Sequence, residues 1–262
     1  MVNRICILLT ACVNPNGMCY TALNDVEERR RQYYTALDFY LRETNVPIVF
    51  IENTNCDIGK DYKTYIEAGR LECFTFNGND FDKSLGKGYG EALIINEAFR
   101  RSSFLNRYRY VVKITGRLIV RNINHILSSR ILCFDNIFRC DLRPNDFLWS
   151  MVFVIKASTL NRIFRENINQ INDSEWKLFE HVLYRAMYED KKTIAVPFIQ
   201  SPIIEGSTGS WNVPYADILG DDRCNTNMQL IPFFYKKANR HFFYIISRIA
   251  RFFYNKLIKP NQ

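Results

Sequence analysis

The residues Ile5-Cys6-Ile7-Leu8-Leu9-Thr10-Ala11-Cys12-Val13, followed at once by Asn14-Pro15-Asn16-Gly17, decide how the rest of the chain is read. An uncharged apolar run closed by a turn signal has the length and pattern of a strand buried on both faces. Arg4 in front of it gives a faint likeness to a secretory signal. The run is short for that purpose and meets the turn without a clear cleavage site, so it is read as the first strand.

Working outward, Asn24 with Glu27 three residues on suggests a capped helix start. Val26, Tyr33, Leu37, Tyr40 and Leu41 then share one helical face. Pro47–Ile51 predicts a second strand ending at Glu52-Asn53, 61–68 a short helix stopped by Gly69, and 71–76 a third strand. Alternation of this kind implies a parallel sheet with helices on both faces. Gly86-Lys87-Gly88-Tyr89-Gly90 then leads into a helical stretch, 91–101, and 110–115 forms a fourth strand closed by Gly116-Arg117. Beyond this the pattern becomes mixed: strand-like runs at 130–139 and 147–155, helices at 157–166 and 173–188, and a short strand at 193–196. The predicted fold is therefore α/β with a mostly parallel central sheet. Ligands of such sheets sit at the carboxyl ends of the strands, so chemistry is expected in the loops from Val13, Glu52, Asn77, Lys113 and Ser201.

The 262 residues are 47% hydrophobic and 24% charged, which excludes a disordered or fibrous chain. The net charge of +8 is unevenly placed. All eight basic residues after Asp222 stand without an acidic one, so removing them leaves 27 of each sign in residues 1–222. A neutral body disfavours nucleic acid as a partner and places any acidic partner at the C-terminal forty residues. Several of the eight cysteines lie inside apolar runs and none forms a Cys-x-x-Cys pair, so zinc and disulfides are disfavoured and a reducing, cytoplasmic setting is expected.

Two segments are suited to an anion. The Gly86–Gly90 segment opens a helix, where free N–H groups and the helix dipole attract phosphate, with Lys87 as a point charge; its bland reading is a flexible turn. It lacks the Gly-Lys-Ser/Thr of a phosphate-binding loop and the spacing of a dinucleotide fingerprint. In Lys113-Ile114-Thr115-Gly116-Arg117, Lys113 and Thr115 share a strand face and Gly116 lets Arg117 turn towards the same ligand; otherwise this is a solvent-exposed strand end.

The order strand, helix, strand, helix, strand, then Gly-x-Gly-x-Gly-Glu-Ala-Leu-Ile-Ile-Asn, then a strand ending Lys-Ile-Thr-Gly-Arg, resembles bacterial surface-polysaccharide glycosyltransferases of the GT-A-like fold over residues 1–215. The resemblance implies a nucleotide-sugar donor. The donor-site residues on this reading are Thr10, Glu52, Lys87, Gly88, Gly90, Lys113, Thr115, Gly116 and Arg117. Such enzymes commonly hold Mn or Mg on an Asp-x-Asp at this strand end. Here Lys113–Arg117 stands in its place, so metal dependence is left open. The literal Asp80-Phe81-Asp82 lies one helix too early and reads as an acidic loop.

Inverting glycosyl transfer needs a carboxylate to deprotonate the acceptor hydroxyl. Asn172 with Glu175 suggests a helix start, after which Trp176, Phe179, Leu183, Ala186 and Met187 form an apolar stripe with Glu180 at its edge. Glu180 is thus either the base or a helix-surface residue, while His125 and His181 are read as structural or solvent-facing. Asp141 is a second catalytic candidate or a turn former, and Glu205, Ser207, Gly209 and Ser210 fall in a small-residue loop suited to an acceptor, or in a plain surface loop.

In the tail, Phe242, Phe243, Ile245, Ile246, Ile249, Ala250, Phe252, Phe253 and Leu257 cover about half a helical wheel, with Arg240, Arg248 and Arg251 opposite. This basic amphipathic helix suits an anionic membrane through 236–259; packing on the body or on a second copy is the other reading. The expected organisation is a GT-A-like domain over 1–222, with halves 1–117 and 118–222, and a membrane-associating tail over 223–262. Function is expected as a cytoplasmic, membrane-peripheral transfer of sugar to a lipid-linked glycan acceptor. The rivals are a sugar nucleotidyltransferase, whose glycine-rich stretch is missing after the first strand, and a non-catalytic membrane-bound assembly protein.

Overall fold

The opening apolar run forms strand β1 (Ile5–Ala11), buried along its whole length. The computed structural model describes residues 5–128, 137–140, 142–143, 146–198 and 201–219. Alternation along β1 sorts its side chains to the two faces of the sheet. Ile5, Ile7, Leu9 and Ala11 enter one core with Tyr33, Leu37 and Tyr40 of helix α1 (Val26–Glu43). Cys6 and Leu8 enter the other, with Ile94, Ile95 and Ala98 of the helix that spans Gly86–Arg101. The expected face of α1 is the buried one, but its cap is Asp25, whose Oδ1 accepts from the Glu28 amide at 2.8 Å, and not Asn24.

Strand β2 (Ile48–Glu52), a 3-10 turn at Gly59–Tyr62, helix α2 (Lys63–Glu67) and strand β3 (Leu71–Thr75) follow in the expected order. Gly69, at φ 66°, ends that helix as its left-handed stop. Helix α3 (Gly86–Arg101) and helix α4 (Ser103–Arg107) then lead to strand β4 (Tyr110–Thr115), which has the expected bounds. The glycine-rich segment is not a loop before α3: Gly86 to Gly90 are its first turn.

The second half contains β5 (Ile119–Val120), α5 (Ile123–Leu127), β6 (Ile137–Cys140), β7 (Leu142–Arg143), β8 (Phe147–Leu148), β9 (Val152–Lys156) and α6 (Ala157–Asn167). Helix α7 (Phe179–Glu189), β10 (Ile194–Pro197), β11 (Ile204–Glu205) and α8 (Tyr215–Leu219) complete it. The run expected at 147–155 is thus two strands. The helix expected from 173 begins only at Phe179, because 173–175 is a 3-10 turn closed by Trp176 in the left-handed region, at φ 57°.

The seven-stranded sheet has the order β10-β6-β9-β4-β1-β2-β3. β1 pairs in parallel with both β2 and β4, and β9 is antiparallel to its neighbours β4 and β6, which makes the sheet mostly parallel as expected. The chain leaves β1 towards β2 and β3 and then crosses back to β4. The crevice outside the carboxyl ends of β1 and β4 is therefore the place where a ligand sits in a sheet of this kind. Gly116 makes that junction close: its amide donates to the Thr10 carbonyl at 2.8 Å, and a Cβ there would stand 2.8 Å from the same oxygen. Among the described residues, no helix is long and apolar enough to cross a membrane. Asp141 and the segment 223–262 lie outside the described residues.

Candidate active site

A cavity of about 630 Å³ opens at this crevice. β1 and β4 supply Thr10 and Thr115 at their carboxyl ends, α3 supplies Lys87, Gly88, Gly90 and Glu91, and α7 supplies Glu180 from its first turn. Arg117 follows β4, Arg29 comes from α1, and Gly209 and Ser210 come from the loop after β11. The structure thus brings together Thr10, Lys87, Gly88, Gly90, Thr115, Arg117, Gly209, Ser210 and Glu180, which lie between positions 10 and 210 of the sequence.

Arg117 is buried, at 6% exposure, and makes no ion pair among the described residues. Its guanidinium donates to the Ser207 carbonyl, and burial pulls its pKa below the usual arginine value. Arg29 donates to the Cys12 carbonyl at 2.6 and 2.9 Å and to the Leu23 carbonyl at 3.1 Å, again with no carboxylate. Lys87 reaches the Ser210 hydroxyl, and the protein mass around it pushes its pKa down although its side chain opens onto the cavity. A buried cation without a counter-ion is costly, so Arg117 and Arg29, with the exposed Lys87 beside them on one cavity, define a seat for an anion.

Lys113 does not join them. It is fully buried, and its ammonium is paired with Glu91 while also donating to the Ser150 carbonyl at 2.7 Å and to Thr115 Oγ1 at 3.4 Å. The lysine was expected to be presented to a ligand, but it is consumed in the wall; Glu91, the partner that neutralises it, also accepts from Thr10 Oγ1 at 2.9 Å. The glycine-rich helix start is likewise taken. Asp173 sits against Gly86 and Gly88 and accepts from the Lys87 and Gly88 amides, so the protein's own carboxylate fills the anion seat expected there. Burial raises the Asp173 pKa.

Glu52 is also behind the cavity. Its carboxylate accepts from the amides of Val13, Thr54 and Cys56 at 3.0, 2.8 and 2.9 Å and from the Thr54 and Thr75 hydroxyls. It ties together the chain ends beyond β1, β2 and β3, and has no lone pair left for a donor. Glu205, on β11, is half-exposed and paired with Arg121, whose Nε lies 2.6 Å from it, while Ser207 contributes its carbonyl to Arg117. Neither lines the cavity, and Gly116 serves the backbone junction. Asp82 caps the 3-10 turn at Lys83–Leu85, as an acidic loop residue would.

Glu180 lies on the cavity wall with its carboxylate surrounded by protein. Burial raises its pKa above the ordinary carboxylate value, and the charge of Glu91 adds to this. Ser150 Oγ opposes the rise by donating to Oε1 at 2.6 Å. A carboxyl whose proton affinity is raised by burial, and which Ser150 holds in place, is suited to accept a proton. His181, next to it, packs edge-on against Phe147 and meets the Trp176 carbonyl, a structural placement.

The resemblance leaves open a divalent metal. Among the described residues, no group of three or more His, Cys, Asp or Glu side chains is placed to hold one. The end of β4 offers a spent lysine, a threonine and an arginine, a donor set that does not fit a divalent cation.

No family model and no curated protein matches the sequence. Among solved structures, a candidate nucleotide-diphospho-sugar transferase from Desulfovibrio desulfuricans G20 is 10% identical with a TM-score of 0.46, over 74% of this chain and 79% of that one. The 4-diphosphocytidyl-2C-methyl-D-erythritol synthase of Anaerococcus prevotii DSM 20548 is 12% identical with a TM-score of 0.43, over 87% and 96%. A glycosyltransferase involved in glycosylation of the major capsid of PBCV-1 is 11% identical with a TM-score of 0.39, over 71% and 76%. Likenesses at this level assign no activity to the present chain.

Proposed function

We propose that this protein is a glycosyltransferase that takes a sugar from a nucleotide-sugar donor. The observation that carries the reading is one cavity at the β1/β4 crevice holding two buried arginines, Arg117 and Arg29, that make no ion pair among the described residues, with Lys87 beside them and the carboxylate Glu180 on its wall. A donor diphosphate supplies the missing negative charge. Glu180 takes the proton of the acceptor hydroxyl as its oxygen attacks the anomeric carbon. The bond from that carbon to the diphosphate breaks, and the charge left on the leaving oxygen is met by Arg117 and Lys87. Glu180 then passes its proton to solvent.

The acceptor on this reading is a lipid-linked glycan of bacterial surface polysaccharide, reached at the inner face of the membrane through residues 236–259. What supports this finer step is the basic amphipathic pattern of that segment and the resemblance noted above. A nucleotidyltransferase also needs a cation-rich nucleotide site, but it has no use for a proton-accepting carboxylate beside an acceptor.

The test is a thermal-shift and turnover series on the full chain with nucleoside diphosphates and nucleotide sugars, since a ligand of the native state raises its stability by mass action. Glu180→Gln is expected to keep donor binding and to lower transfer by about 10²–10⁴. Near-normal transfer in that variant removes Glu180 from the mechanism. Release of pyrophosphate from a nucleoside triphosphate with a sugar 1-phosphate, in place of sugar transfer, identifies a nucleotidyltransferase instead.

A further inference from the structure

The 262 residues include three tryptophans, Trp149, Trp176 and Trp211. All three line the same cavity, from three separate segments: the chain after β8, the turn before α7 and the loop after β11. Two are left in water at its mouth, Trp176 at 76% and Trp211 at 66% exposure. Indole is a costly side chain to expose, and these two are held in exposure by local backbone form. Trp176 is itself in the left-handed region, at φ 57°, and Trp211 is followed by Asn212 at φ 53°.

The third indole continues inward. Trp149 meets Phe147 at 5.6 Å and Tyr215 at 6.5 Å, both also on the cavity wall. Two of the indoles, Trp149 and Trp176, lie next to the elements that carry the proposed base, while Trp211 faces the cavity from the loop after β11. Trp149 precedes Ser150, which bonds Glu180, and Trp176 ends the turn that leads into α7. The group that loses its proton to Glu180 must lie beside it, so this is the acceptor's side of the cavity. Flat aromatic faces on a cavity that also holds hydroxyl and amide side chains match the C–H face of a sugar and its hydroxyls. A single nucleobase would occupy one such face, not three on three segments.

Resting on the transferase reading, we infer that Trp149, Trp176 and Trp211 are stacking platforms for the sugar rings of an oligosaccharide acceptor, more than one ring being gripped at once. Because every tryptophan of the chain lies on the cavity, intrinsic fluorescence reports its filling directly. The experiment titrates the full-length protein with cellotetraose, maltotetraose, chitotetraose and mannotetraose, with their monosaccharides, and separately with UDP, GDP, CDP and dTDP. At least one tetrasaccharide is expected to give a saturable change, with its monosaccharide far weaker. Trp176→Ala and Trp211→Ala remove exposed rings, so the fold survives, and each is expected to weaken tetrasaccharide binding about tenfold, the size of one aromatic stacking contact. Nucleotide affinity should not move. The inference is overturned if no tetrasaccharide saturates, if both variants bind it as the parent does, or if their loss falls on the nucleotide instead. Binding of a tetrasaccharide without any of the four nucleotides is a different result: it leaves the sugar platforms standing and removes the transferase reading.

Discussion

Ser150 Oγ donates a 2.6 Å hydrogen bond to Oε1 of Glu180, while the Ser150 carbonyl accepts from Lys113 Nζ at 2.7 Å. The buried Lys113–Glu91 pair therefore reaches Glu180 through one intervening residue. Lys113 and Glu91 position the wall on which the carboxylate rests, and Ser150 opposes the rise in proton affinity that burial causes.

Ser150→Ala removes the side-chain hydrogen bond that lowers the Glu180 pKa, leaving burial opposed only by a backbone amide and the charge of Lys87, so the carboxyl rises further. The acid limb of transfer, on which Glu180 loses its proton, should move to higher pH in a profile of kcat/KM. An unmoved limb assigns that limb to another group. Stability gives an independent reading. A carboxyl raised in the folded state binds its proton more tightly there than in the unfolded chain. Stability therefore falls as pH rises from the unfolded value through the folded one. Glu180→Gln abolishes that loss, so its gain in Tm relative to the parent should be larger above this interval than below it.

Among the described residues Arg117 has no carboxylate paired with it, and it should acquire a diphosphate as its partner. Arg117→Ala is expected to weaken donor binding by about 1.5–3 kcal/mol, the scale of a charge-assisted hydrogen bond. Calorimetry with nucleoside diphosphate and with nucleoside alone distinguishes the causes. A loss confined to the diphosphate supports the role, whereas an equal loss on both means that the Ser207 carbonyl has been freed and the loop displaced.

Gly86 has φ 82°, and a Cβ there would run into the Asp173 carboxylate. Gly86→Ala combines left-handed strain with that collision and should cost of order 1–3 kcal/mol, visible as a lower Tm. An unchanged Tm would show that Asp173 withdraws freely and that the helix start is open to an outside anion after all.

What could be read in advance depended on whether the deciding contacts were local. β1 and β4 were legible because a strand buried on both faces must be apolar throughout, and Gly116 because a turn follows. The sequence places the helical stretch at 91–101, after Gly86–Gly90, since glycine is a poor helix former, whereas α3 starts at Gly86. Here tertiary packing overrides propensity: Asp173 and Phe179 press on Gly86 and Gly88 where any Cβ would collide. The charge of Lys113 is cancelled from 22 positions away by Glu91, and no spacing rule shows that pairing. Trp176 fell on an apolar stripe only because the helix was started too early. With α7 beginning at Phe179, the ring is free to face the cavity. Glu180 was placed from the same stripe and survives the shift, since its position relative to Phe179, Leu183 and Met187 does not depend on where the helix begins.

The tail is tested by its removal. Deleting 236–262 takes away seven basic residues and the whole apolar face of the wheel, leaving the neutral body. The truncated protein should no longer sediment with vesicles of anionic phospholipid, whereas the full chain should. High salt should release the full chain only in part, because screening weakens the attraction of arginine and lysine but not the burial of phenylalanine and isoleucine. Transfer to a lipid-linked acceptor should drop on truncation, since enzyme and acceptor no longer share a surface, while transfer to a short soluble acceptor should hardly change. Equal sedimentation of both proteins places membrane contact elsewhere on the chain. Unfolding of the truncated protein makes the segment a part of the body, and the amphipathic face then belongs against the protein core instead of lipid.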